Sequence, residues 1–292
     1  MIGNLIGNCI GVLFDGIAYG SLLFLISVGL SVTMGLMNFI NLAHGAFAMV
    51  GGYVCVTLLQ KMGMPFLATL PLAFIAAAVI GLVLERTLYR QLYQATHLDQ
   101  VLFSIGLTFM AVAGATFLFG PTQQPVNLPD WLRGQVHVLG LDLGTYRLFL
   151  IAVVVLVTLA LYLLIERTRF GAQIRASVDN QTAAAGLGIN VSRVFSLTFA
   201  LGSGLAGLGA GLGIDVLGLD PSFPVKYMVY FLLAVAVGGA GSIKGPLIAG
   251  LILGVFDVAG KYYVPEVGAF VIYTLMVVLL ILFPYGLVRR KA

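Results

Sequence analysis

Long runs of apolar residues, separated by short polar segments, follow one another along almost the whole chain. A helix needs roughly 20 apolar residues to cross a bilayer, whereas the strands of a membrane β-barrel would alternate over short segments. The pattern therefore predicts a single all-α domain over residues 1–292, a polytopic transmembrane helical bundle of about eight to nine spans. The predicted spans are 11–36, 38–60, 66–87, 99–120, 147–165, 193–214, 226–242, 246–262 and 268–288.

The boundary between the first two spans stays open. The segment from Gly35 to Gly45 fits a break inside one helix and equally a turn between two helices. The side of the membrane on which the N-terminus lies depends on which of the two is present.

The composition agrees with a membrane protein. The chain is 60% hydrophobic and 9% charged, whereas a soluble domain is about 25% charged. Cys9 and Cys55 stand in apolar sequence without metal-ligand spacing, so we interpret both as buried small hydrophobic residues and predict no metal site. The net charge of +4 reflects basic residues at span ends and does not indicate nucleic-acid binding.

Basic residues are concentrated on one predicted face. Lys and Arg are retained on the cytoplasmic side of membrane proteins, so the segments that carry most of them, and the C-terminus, are predicted to be cytoplasmic. The long loop 120–147 then lies outside. The basic residues on the predicted cytoplasmic face are Arg86, Arg90, Arg167, Arg169, Arg175, Arg193, Lys244, Arg289, Arg290 and Lys291.

The polar interval 166–193 combines positive charge with a helical pattern. Good helix formers from Ala176 to Ala185 predict a short cytoplasmic helix, and Gly186 and Gly188 are natural helix stops. Its small residues suggest that a partner docks there. An ordinary interfacial helix between two spans explains the pattern equally well.

A second polar run lies inside apolar sequence. Asn38, Asn41 and His44 follow at intervals of three and can share one helical side next to Gly45. Polar groups at membrane depth face a cavity or a partner helix, so the run either lines a translocation pathway or makes interhelical hydrogen bonds and caps.

Glycines and aspartates complete the candidate residues. Glycines four apart let helices approach closely and predict helix packing at Gly207, Gly209, Gly211, Gly213, Gly250 and Gly254. Asp15, Asp215 and Asp257 either couple ion movement or mark span ends, and we favour span ends.

The sequence carries no nucleotide-binding or catalytic motif. The run 238–245 has glycines and a lysine but no Gly-Lys-Ser/Thr after a strand, and no metalloprotease or nucleophile motif is present. The chain is therefore predicted not to be an enzyme, and if transport here uses ATP, another chain must supply it. An ion-coupled secondary transporter that acts alone is the alternative.

Three segments resemble the permease subunits of branched-chain amino-acid ABC importers. The run 35–45, GLMNFINLAHG, resembles a signature of that family, and the run 238–246, GGAGSIKGP, resembles its late glycine signature. The RFG and IRA tripeptides that begin at Arg169 and Ile174, with the later AAxGxGIN run from Ala183, resemble its cytoplasmic coupling segment. The matches follow the family's order over nearly the whole chain, which looks like the shorter permease of a pair.

The resemblance implies an importer for branched-chain or related amino acids in a bacterial inner membrane, working by alternating access. It implies a second related permease, two cytoplasmic ATPase subunits that hold ATP and Mg, an extracytoplasmic binding protein and surrounding lipid, with no cofactor in this chain. It also places Asn38, Asn41, His44 and Gly45 in the pathway. The implied coupling residues are Arg169, Phe170, Gly171, Arg175, Ala176, Asp179, Ala183, Ala184, Gly186, Gly188 and Ile189.

The chain departs from the family pattern at two positions. Ala46 stands where many relatives carry an acidic residue, and Lys244 stands where relatives often have proline. The substrate is therefore left open among leucine-like amino acids, other amino acids, urea, amides and aromatic acids.

Overall fold

The computed structural model describes residues 2–37, 39–138, 141–283 and 286–288. Its elements are α1 Ile2–Met37, α2 His44–Gln60, α3 Phe66–Thr87, α4 His97–Phe119, β1 Gln135–Val138, β2 Leu141–Gly144, α5 Thr145–Arg167, α6 Arg169–Asp179, α7 Gln181–Gly186, α8 Val191–Leu217, α9 Phe223–Gly238, α10 Lys244–Tyr263 and α11 Gly268–Leu282.

The helical membrane bundle expected from the sequence is confirmed. Each predicted span coincides with one of these helices, and six helices are long and apolar enough to cross a membrane. Three further apolar helices, His44–Gln60, Phe223–Gly238 and Phe270–Leu282, are shorter.

Some predicted boundaries are wrong. The first helix begins at Ile2 and not at residue 11. The spans predicted over 226–242 and 268–288 extend beyond the helix ends at Gly238 and Leu282. The single helix expected over 176–185 is two helices, α6 and α7, separated by Asn180.

The described part of segment 120–147 contains a small antiparallel hairpin. β1 pairs with β2 through Val136 opposite Leu143. A 3₁₀ turn at Asp130–Leu132 precedes it, and the Trp131 ring packs edge-on against Phe149, with centroids 5.6 Å apart. The otherwise all-α chain thus carries a hairpin that the apolar pattern does not reveal.

Hydrogen bonds between loops show which loops lie together at each of the two ends of the bundle. At the hairpin end, Arg147 pairs with Asp15, and Gln124 N donates to the Leu219 carbonyl over 2.8 Å. At the α6–α7 end, Gly241 N donates to the Ser31 carbonyl over 2.9 Å, and Leu287 N donates to the Val237 carbonyl over 2.7 Å. Val288 lines one cavity together with Ile174 and Arg175 of α6, so the described end of the chain, residues 286–288, lies at the same end as α6.

Glycine contacts bring the central helices together. A β-carbon on Gly51 of α2 would lie 2.2 Å from the α-carbon of Gly207 on α8, and one on Gly254 of α10 would lie 2.4 Å from the α-carbon of Gly20 on α1. Such distances leave no room for a methyl group, so backbones meet directly at both crossings.

The other glycines predicted to pack have looser surroundings. An added β-carbon would lie 2.6 Å from the Ile26 side chain at Gly209, and 3.0 Å from the Gly20 carbonyl at Gly250. At Gly211 the nearest atom, on Cys55, is at the ordinary contact distance of 3.5 Å, and at Gly213 the nearest is the flexible end of Leu217.

Candidate functional site

The break between α1 and α2 lies inside the bundle. The Nε2 atom of His44, the first residue of α2, lies 2.8 Å from the carbonyl oxygen of Ile26. Because an α-helix rises about 1.5 Å per residue, Ile26 stands about 16 Å from the end of α1 at Met37. The chain between the two helices therefore turns back along α1, and non-helical backbone at such depth is tolerated only within protein or beside a cavity.

The polar side chains of this break have partners in the protein. Asn41 Oδ1 accepts from the Tyr89 hydroxyl over 2.9 Å and from Ala43 N over 3.1 Å, which ties the break to the end of α3. A β-carbon on Gly45 would lie 2.9 Å from the α-carbon of Pro224. Asn38 lies outside the described residues, and a pathway role for all four remains a prediction.

Side-chain caps build the polar segment between α5 and α8. The Thr168 hydroxyl accepts from Gly171 N over 3.1 Å at the start of α6, and Asn180 Oδ1 accepts from Ala183 N over 2.9 Å at the start of α7. Asn190 caps α8 in the same way. Three consecutive caps explain why the segment forms short, separate helices.

α6 is held tightly against the end of α5. A β-carbon on Gly171 would lie 2.0 Å from the Ile165 carbonyl oxygen, which also accepts a hydrogen bond from the Arg175 guanidinium. Arg175 lies 3.8 Å from the Glu166 carboxylate as well. Gly171 and Arg175 therefore join two helices within this chain.

The predicted coupling residues of α7 differ in exposure. Ala184 is 2% exposed within this chain, and its contact with a partner stays a prediction. Ala183 and Gly186 are exposed. Leu187, which the sequence reasoning passed over, is 82% exposed at the tip of the segment.

The remaining predicted coupling residues fall into two groups. Arg169 and Asp179 are exposed, whereas Phe170, Ala176 and Ile189 are partly buried. Gly188 has a φ of +84°, the left-handed conformation that ends α7 and favours glycine.

A buried carboxylate lies beneath this surface. Glu85, at 0% exposure, accepts hydrogen bonds from the Tyr93 and Ser196 hydroxyls, both over 2.5 Å. Burial, followed by the bond to Glu85, raises the pKa of Tyr93, so its hydroxyl stays protonated as a donor. Glu85 on α3 is thus bonded to the connection before α4, through Tyr93, and to α8, through Ser196. The sequence analysis did not identify this residue.

The three aspartates have different environments. Asp15 pairs with Arg147, and Asp215 is exposed near the end of α8, as span-end residues would be. Asp257 is 1% exposed within α10, where its Oδ2 accepts from Lys261 over 2.6 Å. The span-end interpretation therefore does not describe Asp257. Over the described ranges, no cluster of three or more His, Cys, Asp or Glu residues could hold a metal ion.

The described residues form a polytopic helical membrane bundle, with a buried break between α1 and α2 and a capped polar segment at one end. The family of "branched-chain amino acid transport system / permease component" matches residues 12–280. The chain belongs to that family. It is accordingly a multi-pass membrane transport subunit and not an enzyme.

Curated relatives cover almost the full length of the chain. It is 31% identical to the high-affinity branched-chain amino acid transport system permease protein BraD of Pseudomonas aeruginosa, over 95% of both chains. It is 30% identical to the probable branched-chain amino acid transport permease protein LivH of Methanocaldococcus jannaschii, over 94% of this chain and 91% of the relative. The LivH protein of Escherichia coli K12 is 29% identical over 95% of this chain and 94% of its own. No solved structure matches the chain significantly.

Proposed function

We propose that this chain is the membrane-spanning permease subunit of an ATP-driven importer for branched-chain or related amino acids. It passes substrate from an extracytoplasmic binding protein to the cytoplasm by alternating access. The observation that carries the proposal is the family match over residues 12–280, together with relatives named for branched-chain amino acid transport.

The proposed assembly contains a second related permease and two ATPase subunits that hold ATP and Mg. The α6–α7 end faces the cytoplasm of a bacterial cell, and with it the C-terminus, because the basic residues of the polar segment lie there. The exposed Leu187 side chain docks in the ATPase, and α6 passes the movement on to α5.

Purification of the tagged chain from its native membrane, with mass spectrometry of the proteins that accompany it, tests the assembly. We expect an ATPase and a second permease, and ATP-driven uptake of labelled leucine when the complex is reconstituted with its binding protein. Uptake by this chain alone, without ATP, would overturn the proposal. It would support the ion-coupled alternative, in which Asp257→Asn should then abolish transport.

Leu187→Asp tests the docking surface, with Leu187→Met as the matched control. Because the side chain is 82% exposed, neither change should lower thermal stability. The aspartate variant should lose ATPase association and uptake, whereas the methionine variant should keep both. Normal uptake and association in Leu187→Asp would show that this surface is not the ATPase contact.

A further inference from the structure

A pocket of about 340 Å³ lies where the turn between α9 and α10 meets α5 and α6. Its charged residues are Lys244 at the start of α10, Arg175 on α6 and Glu166 on α5. Residues 239–242 of the turn form another part of the lining. The apolar residues of the lining are Val32, Ile165, Ile174, Val178, Ile243 and Val288. The pocket therefore combines a few charged groups with apolar side chains, as small-molecule sites do.

Lys244 carries a positive charge that no described residue neutralises. Its side chain is exposed and forms no ion pair within the described part of the chain. Arg175, by contrast, lies 3.8 Å from the Glu166 carboxylate and also donates to the Ile165 carbonyl. The charges of Arg175 and Glu166 oppose each other, so the uncompensated charge of the pocket is the ammonium of Lys244.

The backbone at the start of α10 favours a ligand of the same sign. Gly239 and Gly241 shape the turn with φ values of +95° and +80°, which favour glycine. In the first turn of α10, Gly245 N donates to the Ser242 hydroxyl over 3.2 Å, whereas Ile243 at the N-cap position provides no side-chain cap. Because the N-terminal end of a helix carries partial positive charge, it adds to the lysine in attracting an anion.

The apolar run of α5 ends at this pocket. Tyr162 lines it, and Glu166 is the first charged residue of α5 after Arg147. Tyrosine is enriched where the hydrocarbon of a bilayer meets the headgroups. On the same side of α5, one and two turns before Tyr162, the side chains of Leu159 and Val155 are 57% and 61% exposed. The pocket therefore lies at headgroup level, at the end of an exposed apolar stripe.

We propose that the pocket binds the phosphate of an anionic phospholipid, whose acyl chain follows the stripe of Val155 and Leu159. The phosphate oxygens accept from the Lys244 ammonium and from the backbone at the start of α10. Basic pockets between membrane helices suit anionic headgroups. Glu166 disfavours a second negative charge, and a soluble phosphate compound has nothing to place on the apolar stripe. The inference adds a lipid ligand to the chain and does not depend on what the chain transports.

Native mass spectrometry of the purified complex in mild detergent measures which lipid stays bound. The delipidated complex is offered equal amounts of phosphatidylglycerol, which is anionic, and phosphatidylcholine, which is zwitterionic. We expect phosphatidylglycerol to be retained about three- to tenfold more strongly, and its retention to fall as the ionic strength rises. Excess glycerol phosphate should not displace it. Transport is not part of this measurement, so a failure of the proposed function is seen separately.

Lys244→Gln removes the uncompensated charge, and Arg86→Gln is its matched control. Arg86 is exposed at the same end of the bundle, forms no ion pair among the described residues and does not line the pocket. Lys244→Gln should lower phosphatidylglycerol retention about three- to tenfold, whereas Arg86→Gln and Lys244→Arg should keep it. Because both side chains are exposed, the melting temperature in lipid-free detergent should be unchanged in all three variants.

Four results would overturn the proposal. Equal retention of the two lipids, or an equal loss in Lys244→Gln and Arg86→Gln, would show that the pocket does not select an anionic lipid. Displacement of the lipid by glycerol phosphate would assign the pocket to a soluble phosphate compound. Loss of an accompanying subunit from Lys244→Gln, with phosphatidylglycerol retention unchanged, would assign the pocket to a contact between subunits.

Discussion

Gly51→Ala is expected to loosen the crossing of α2 and α8. The added methyl carbon would lie 2.2 Å from the α-carbon of Gly207 and 2.6 Å from its carbonyl carbon and oxygen. These are backbone atoms that cannot rotate away, and carbon atoms prefer separations of about 3.5–4.0 Å. The two helices must therefore move apart by more than about 1 Å, which breaks neighbouring contacts along the crossing.

The size of the effect follows from two opposing contributions. Overpacking of this kind costs about 1–3 kcal/mol, and a clash with backbone belongs at the upper end. Replacing glycine by alanine inside a helix returns about 0.5–1 kcal/mol. We therefore expect a net loss of about 2 kcal/mol in the free energy of unfolding, or a melting temperature lower by roughly 4–8 °C.

Thermal unfolding in detergent measures this effect, with Gly106→Ala as the matched control. An added β-carbon there meets no described atom within 4 Å, so only the helix propensity changes and stability should hold or rise by up to about 1 kcal/mol. A melting temperature for Gly51→Ala at or above that of Gly106→Ala would refute the close crossing.

Three further changes test other contacts. Glu85→Ala should lower the free energy of unfolding by about 1–3 kcal/mol, because the Tyr93 hydroxyl loses its partner and Ser196 keeps only the Ser192 carbonyl. Glu85→Gln should lose less, and chemical denaturation distinguishes the two variants. Ala184→Arg should lower the yield of folded protein measured by size-exclusion chromatography, because the side chain at this position is buried. Ala185 is exposed, so Ala185→Arg should fold normally and lose only ATPase association. Separating the partly exposed pair of Arg147 and Asp15 with Arg147→Ala should change stability by less than about 1 kcal/mol, and the change should vanish at high salt when melting is repeated at several ionic strengths.

The spans were predictable because each is a continuous apolar run close to the length that a bilayer demands. The start of α1 at Ile2 could not be predicted in this way, because Asn4 and Asn8 interrupt the apolar pattern of its first turns. The division of α6 from α7 had a usable signal in Asn180, a favoured N-cap residue, which the run of helix formers obscured.

Side-chain placement was harder to predict than the spans. The inward direction of Ala184 depends on the phase of a six-residue helix, which is too short for a periodic pattern. Glu85 is buried by Ser196, 111 residues away in sequence, and no local pattern carries that contact. Leu187 had a recognisable signal, since it is a large apolar residue between two turn-forming glycines.

The close contact between Gly171 and the Ile165 carbonyl limits how α6 can move relative to α5. The backbone of α6 touches the end of α5 directly, so α6 cannot move closer to α5 unless the two helices shift together. α7 follows α6 after Asn180, and its buried Ala184 packs it against the rest of the chain. Enlarging residue 171 would push α6 away from the end of α5 and change the angle between the two helices.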